Sequence, residues 1–182
     1  FSADVISFAF VPSGSSEERV LWLHVEATDA AGKSYHLAVD PKGFKDEEYT
    51  IASATALAYQ DIGDIQDIAG FAGLKRDGTY ETMAAGDRIF RLPYLDAKGR
   101  MTIAQWATAS FATDYRLAPL QAVAETYTWK LPQEMAAGPV TVRASLYYSR
   151  LVSSVGEFLK VPAEEYAPVT LNFHETTFTV LQ

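Results

Sequence analysis

Residues 19–28 (RVLWLHVEAT) alternate with a period of two: Leu21, Leu23, Val25 and Ala27 fall on one side, Trp22, His24 and Glu26 on the other. Only an extended strand puts such a pattern on two distinct faces. Asp29, Ala30, Ala31 and Gly32 read as the following turn, with Gly32 able to take a positive φ, and residues 34–39 return as the partner strand. This hairpin constrains the fold more than any other segment of the chain.

The same pattern recurs downstream. In residues 140–148, Val140, Val142, Ala144, Leu146 and Tyr148 point one way, and Thr141, Arg143, Ser145 and Tyr147 the other. Residues 5–11 and 122–131 also alternate, and Pro132 ends the latter. Residues 88–95 and 100–112 flank a turn at 96–99 and predict a second hairpin. Residues 169–181 read as a long strand whose apolar phase switches between Phe173 and Phe178, which predicts a bulge near 174–177. Short helices are expected near 61–74, where Asp64 can cap, and near 151–160, stopped by Pro162. Seven to nine strands with close-spaced turns predict an all-β, antiparallel two-sheet β-sandwich of the immunoglobulin-like kind. The 182 residues suit a single domain over 1–182, with an insertion at about 41–90.

Composition removes several function classes. Fifteen basic against 23 acidic side chains give a formal charge of −8, which argues against a nucleic-acid or anionic-membrane binder. The chain has no cysteine, so it forms no disulfide, no thiolate metal site and no covalent c-type haem attachment. No apolar run approaches the roughly 20 residues of a membrane-spanning helix. A first residue of Phe1 instead of Met fits a processed, exported chain or a fragment of a longer one.

Candidate chemistry is sparse. His24 and His36 sit on the two strands of one hairpin and can approach each other, but the chain has no H-x-H or H-x-x-x-H spacing, so no metal site is expected. The acidic groups Asp46, Glu47, Glu48 and Asp61, Asp64, Asp67 do not match a calcium loop. No nucleophile elbow, P-loop or dinucleotide fingerprint occurs, so no catalytic residue is assigned and an enzyme is not expected. Trp22 and Tyr147 lie opposite the core-facing residues of their strands, and such aromatics suit a partly wet contact. The competing reading buries Trp22 on both sides of its sheet, under the 41–75 excursion.

Several stretches, taken in order, carry a resemblance. They are residues 12–19 (PSGSSEER), 20–35 (VLWLHVEATDAAGKSY), 95–100 (LDAKGR), 114–132 (DYRLAPLQAVAETYTWKLP), 138–151 (GPVTVRASLYYSRL) and 158–168 (FLKVPAEEYAP), followed by a closing strand. The series resembles the C-terminal β-sandwich domain of exported multihaem c-type cytochromes, while residues 41–90 match it poorly. In that family haem is carried upstream on C-x-x-C-H motifs, of which this chain has none, and no histidine precedes His24. No haem-binding residue therefore carries over.

The resemblance implies a periplasmic or extracellular, haem-free sandwich that packs against a haem-bearing c-type cytochrome chain. The expected partner-binding residues are Trp22, His24 and Glu26 on one strand, and Arg143 and Tyr147 on another. The alternative is a fibre or pilus-like subunit that self-associates by strand addition. A third possibility is a sandwich binding carbohydrate or non-covalent haem. For haem, the three histidines and Met83, Met101 and Met135 are the available axial ligands.

Overall fold

The computed structural model describes residues 2–6, 19–40, 82–84, 86–99, 102, 104–151 and 153–181. The fold is all-β and antiparallel. Its strands are β1 (Ser2–Ile6), β2 (Val20–Thr28), β3 (Ser34–Leu37), β4 (Arg88–Phe90), β5 (Tyr94–Leu95), β6 (Ser110–Phe111), β7 (Ala122–Thr126), β8 (Gly138–Ser149) and β9 (Val169–Val180). Two short helices, α1 (Ser153–Phe158) and α2 (Ala163–Tyr166), join β8 to β9. The helix expected near 61–74 lies outside the described residues, as does most of the expected insertion. Among the described residues no helix is long and apolar enough to cross a membrane.

The main sheet runs in the order β3-β2-β8-β9, with β4 also paired to β2. The β2/β8 register explains why both strands alternate. Leu21 faces Tyr148, Leu23 faces Leu146, Val25 faces Ala144 and Ala27 faces Val142, so the two apolar stripes merge into one sheet face. Phe90 on β4, opposite Leu21, extends that face, and Leu117, Tyr127 and Met135 belong to the same buried core.

A second ladder, β1 with β7, brings Val123 to the same core. Two contacts among the described residues tie it to the main sheet and the segment after β3. The Asp40 amide donates to the Thr126 carbonyl (2.8 Å), and the guanidinium of Arg88 on β4 pairs with the carboxylate of Glu125 on β7. Both members of that ion pair are buried.

The β2–β3 turn is built on Asp29. Its Oδ1 accepts the amides of Ala31 and Lys33, both at 2.9 Å, and Gly32 takes φ +81. Oδ2 accepts from the Tyr35 hydroxyl (3.1 Å) and the Ala136 amide (3.2 Å), which fastens the turn to the segment before β8.

Two expectations are corrected. The second hairpin does not continue from its turn as two long arms: the Thr102 amide bonds to Tyr94, a 3-10 turn intervenes at Gln105–Ala107, and β6 then pairs with β5. The bulge in β9 lies at Leu171, where the register steps between Leu146/Asn172 and Tyr147/Thr170, and not at 174–177. Phe178 is opposite core-facing Val140, and Phe173 is opposite outward-facing Ser145, so the apolar phase changes without an irregularity between them. Phe173 is an apolar residue on the outer face, where the Arg143 guanidinium covers its ring at 4.1 Å.

Candidate functional site

The β2/β8 register also fixes the outer face of the main sheet. Trp22 pairs with Tyr147, His24 with Ser145 and Glu26 with Arg143, so all five residues singled out in the sequence belong to one face of one sheet. Their environments differ. Trp22 is fully buried: its ring stacks on Tyr147 (5.5 Å between centroids, 27° between planes), and its indole N–H donates to the Thr82 carbonyl at 2.8 Å. The expected contact role needs Trp22 at the surface, and this packing keeps it inside. Tyr147 and Glu26 are half-buried. Arg143 is held by an ion pair with Glu175 on β9 (2.8 Å) and donates from Nε to the Ser145 hydroxyl (3.1 Å).

The densest chemistry on this face lies around His24. Strand β2 has two partners along the same edge: β4 pairs with residues 21–23 and β3 with residues 25–28. His24 falls at the junction. Extending the β4 register by one residue puts Asp87 opposite His24, and the β2–β3 hairpin puts His36 opposite Glu26, two positions along the same face. Asp87 Oδ1 contacts His24 Nδ1 at 2.9 Å and His36 Nε2 at 2.8 Å, while Oδ2 lies 3.0 Å from His24 Nδ1 and accepts the Ala84 amide at 2.8 Å. The two imidazoles stack 5.0 Å apart at 19°.

The electrostatics follow from burial. The Asp87 side chain is completely buried, whereas the His24 and His36 side chains keep 15% and 28% of their exposure. A buried carboxylate must be neutralised or heavily hydrogen-bonded, and here two ring nitrogens and an amide supply the donors. Burial works against a charged His24. The hydrogen bond and negative charge of Asp87, with a contribution from Glu26, outweigh it and hold the His24 imidazole above its ordinary pKa.

Gly86 makes the junction possible. It takes φ +96 and lies so close to β3 that a Cβ there would fall 2.6 Å from Ala38 Cβ and 3.5 Å from His36 Cε1. Its carbonyl accepts the Val39 amide at 2.9 Å.

His36 and Asp87 lie outside the five expected site residues, and the histidine spacing predicts no metal cluster. That expectation rested on spacing along the chain, whereas these three side chains come from three separate segments. The register of the 29–32 turn is enough to bring His24 and His36 to one face as diagonal neighbours; nothing in the sequence links Asp87 to them. His24, His36 and Asp87 each offer one ligand atom, and the three atoms lie within 4.8 Å of one another. Met83 and Met135 are buried, and Met135 belongs to the hydrophobic core.

No protein-family model and no curated protein matches the chain. Among solved structures it is similar to a penta-heme cytochrome c552 from Thermochromatium tepidum, with a TM-score of 0.56 and 22% identity. The similarity covers 97% of this chain and 36% of that one, so the chain spans about a third of the length of the structure it matches. At this identity the likeness concerns the fold.

Proposed function

We propose that the chain is a non-catalytic β-sandwich unit of an exported, multihaem electron-transfer complex, and that it packs against a haem-bearing c-type cytochrome chain. The observation carrying this reading is the extent of the likeness: nearly the whole chain, 97% of it, corresponds to about a third of a penta-heme cytochrome. A chain without cysteine cannot attach haem c itself, so in this reading the haem belongs to the partner.

The role is physical. A packed β-unit beside a haem excludes water, lowers the local dielectric and so shifts the reduction potential without touching iron. The formal charge of −8 favours encounter with a basic partner. The contact surface in this reading is the outer face of the main sheet around Glu26, Arg143 and Tyr147, extended by β9. The exported, periplasmic or extracellular location follows from the sequence resemblance.

Native co-purification tests it. An absorption spectrum of material isolated with the untagged chain should show a Soret band and c-type haem bands on a separate polypeptide. A colourless preparation overturns the reading.

A second reading is self-association by strand addition. Its support is β9, which ends the β3-β2-β8-β9 order and is exposed along nearly all of its twelve residues, with Leu171 and Phe173 more than half exposed. Long apolar edge strands recruit further strands. Filaments in negative-stain micrographs of the colourless protein would favour this reading over the first.

A further inference from the structure

We propose that His24, His36 and Asp87 form a binding site for a divalent transition-metal ion of the zinc class, one that clasps β2, β3 and the start of β4 together. The proposal is independent of the partner reading above. It rests on the donor set, the support behind it and its position in the sheet.

Two imidazole nitrogens and one carboxylate oxygen suit zinc and its neighbours. They do not suit calcium or magnesium, which take all-oxygen shells. All three side chains already converge. His24 Nδ1 and His36 Nε2 meet the same Asp87 Oδ1 at 2.9 and 2.8 Å. Ligand atoms bound to one zinc ion at about 2.0–2.1 Å sit roughly 3.3 Å apart in a tetrahedron. Each carboxylate–imidazole distance therefore has to open by about half an ångström to reach tetrahedral spacing, while the two imidazole nitrogens, which lie within 4.8 Å of each other, settle to the same edge. His36 can supply that movement, because it is on a short strand at the end of the sheet order and its side chain keeps 28% of its exposure.

The support is that of a built site. Asp87 is completely buried, and its second oxygen is held by the Ala84 amide at 2.8 Å, so the ligating oxygen is oriented before any ion arrives. The incoming ion would replace ring N–H donors as the neutralising charge beside this carboxylate. The histidine side is partly open, with 15% of the His24 side chain and 28% of the His36 side chain exposed, so an ion can approach from there.

The position explains what the ion would do. At His24 the edge of β2 passes from β4 to β3, and the ladder is interrupted between residues 23 and 25. One ligand comes from each of the three segments that meet there, so the ion would bridge a place where backbone pairing does not.

The test uses the full chain, stripped with a chelator and dialysed. Titration with zinc alone, followed by calorimetry, should show one saturable equivalent with a Kd of about 10 μM or tighter and a melting temperature that rises with zinc concentration. Cobalt in the same site should give the intense visible bands of a tetrahedral shell. Asp87→Asn and His36→Gln should each weaken zinc at least about 10–100-fold, the loss that altering supporting residues alone can cause. Removing the buried carboxylate can compromise folding. His36→Gln, on a partly exposed residue and verified by circular dichroism, is therefore the deciding variant. Absence of saturable binding by the wild-type chain overturns the proposal, as does a folded His36→Gln protein that keeps wild-type zinc affinity and cobalt bands.

Discussion

Asp87 lies opposite His24 at the point where β2 changes partners, with the carboxylate 2.9 Å from the imidazole. Neither residue is placed by its own strand alone. His24 belongs to the outward-facing half of an alternating strand, and Asp87 immediately precedes a strand only three residues long. The contact exists because β3 and β4 share one edge of β2, and so it reports on the packing of all three segments.

Gly86 controls that geometry. Gly86→Ala forces a Cβ to 2.6 Å from Ala38 Cβ on a backbone with φ +96. The strained φ costs about 1–2 kcal/mol and the overpacking about 1–3 kcal/mol more. Chemical denaturation should give a destabilisation of about 2–5 kcal/mol on adding these terms. Histidine NMR signals of His36 should shift as Asp87 is displaced. A stability within 0.5 kcal/mol of wild type, a typical bound for neutral surface changes, would contradict the packing described.

Trp22 separates packing from partner contact. Trp22→Ala removes a fully buried indole and should cost about 3–5 kcal/mol. Trp22→Phe keeps an aromatic ring beside Tyr147 but removes the N–H that the Thr82 carbonyl accepts, and should cost about 1–3 kcal/mol. Calorimetric melting of the two variants checks the order, alanine worse than phenylalanine. Equal losses would mean that the ring contributes little beyond its hydrogen bond.

The core was legible where alternation was strict, although Trp22 on the opposite face of β2 is buried as well. Leu21 to Ala27 and Val140 to Tyr148 announce their faces because the period of two survives only if one face is apolar. The 29–32 turn was equally readable, since an aspartate with two local amides to accept and a glycine at positive φ have few alternatives. A bulge at 174–177 is required only if Phe173 faces the core with Phe178; on a terminal strand an outward phenylalanine is tolerated, and here Arg143 covers it. Leu171, where the register does shift, has no turn residue to mark it. The His24–His36 half of the cluster followed from hairpin register. Asp87 did not, because contacts between a strand and a distant short segment leave no periodic trace.

The Arg88–Glu125 pair joins the main sheet to the β1–β7 ladder in a buried setting. Glu125→Ala removes the carboxylate that neutralises the buried guanidinium, which still donates to the Ile89 carbonyl, and should cost about 3–5 kcal/mol. The double variant Arg88→Met with Glu125→Leu removes both charges and should be clearly less destabilised than the sum of its single variants. A double-mutant cycle in urea measures the coupling. Additive losses would show that the two side chains do not depend on each other.

Asp29 should make the fold acid-sensitive. Burial opposes its charge, but the amides of Lys33, Ala136 and Ala31 and the Tyr35 hydroxyl outweigh it and hold the carboxyl below its ordinary pKa. A depressed native pKa contributes stability that is fully present above the unfolded value, near pH 4, and is lost as pH falls toward the native value. The slope of unfolding free energy against pH should therefore be positive below about pH 4 and shallower in Asp29→Asn. At neutral pH that variant should also be the less stable one, because an amide nitrogen cannot accept. An unchanged acid limb would assign the acid sensitivity to other carboxylates.

Arg143 tests the proposed docking face with little disturbance of the fold. Its ion pair with Glu175 is partly exposed, and such pairs contribute about 0–1 kcal/mol. Arg143→Glu places like charges opposite each other across β8 and β9, and uncovers the Phe173 ring, yet leaves the core face untouched. Thermal melting should therefore move only slightly. Co-elution with a haem-bearing partner should fall sharply if this face docks, because the partner group that meets the Arg143 guanidinium would then face a like charge, whatever the net charge that steers the two chains together. Glu175→Arg combined with Arg143→Glu restores the local pair but not the original charge pattern, so it should recover stability without recovering the complex. Wild-type co-elution by the single variant would remove this face from the contact surface and leave the exposed apolar stretch of β9 as the remaining candidate.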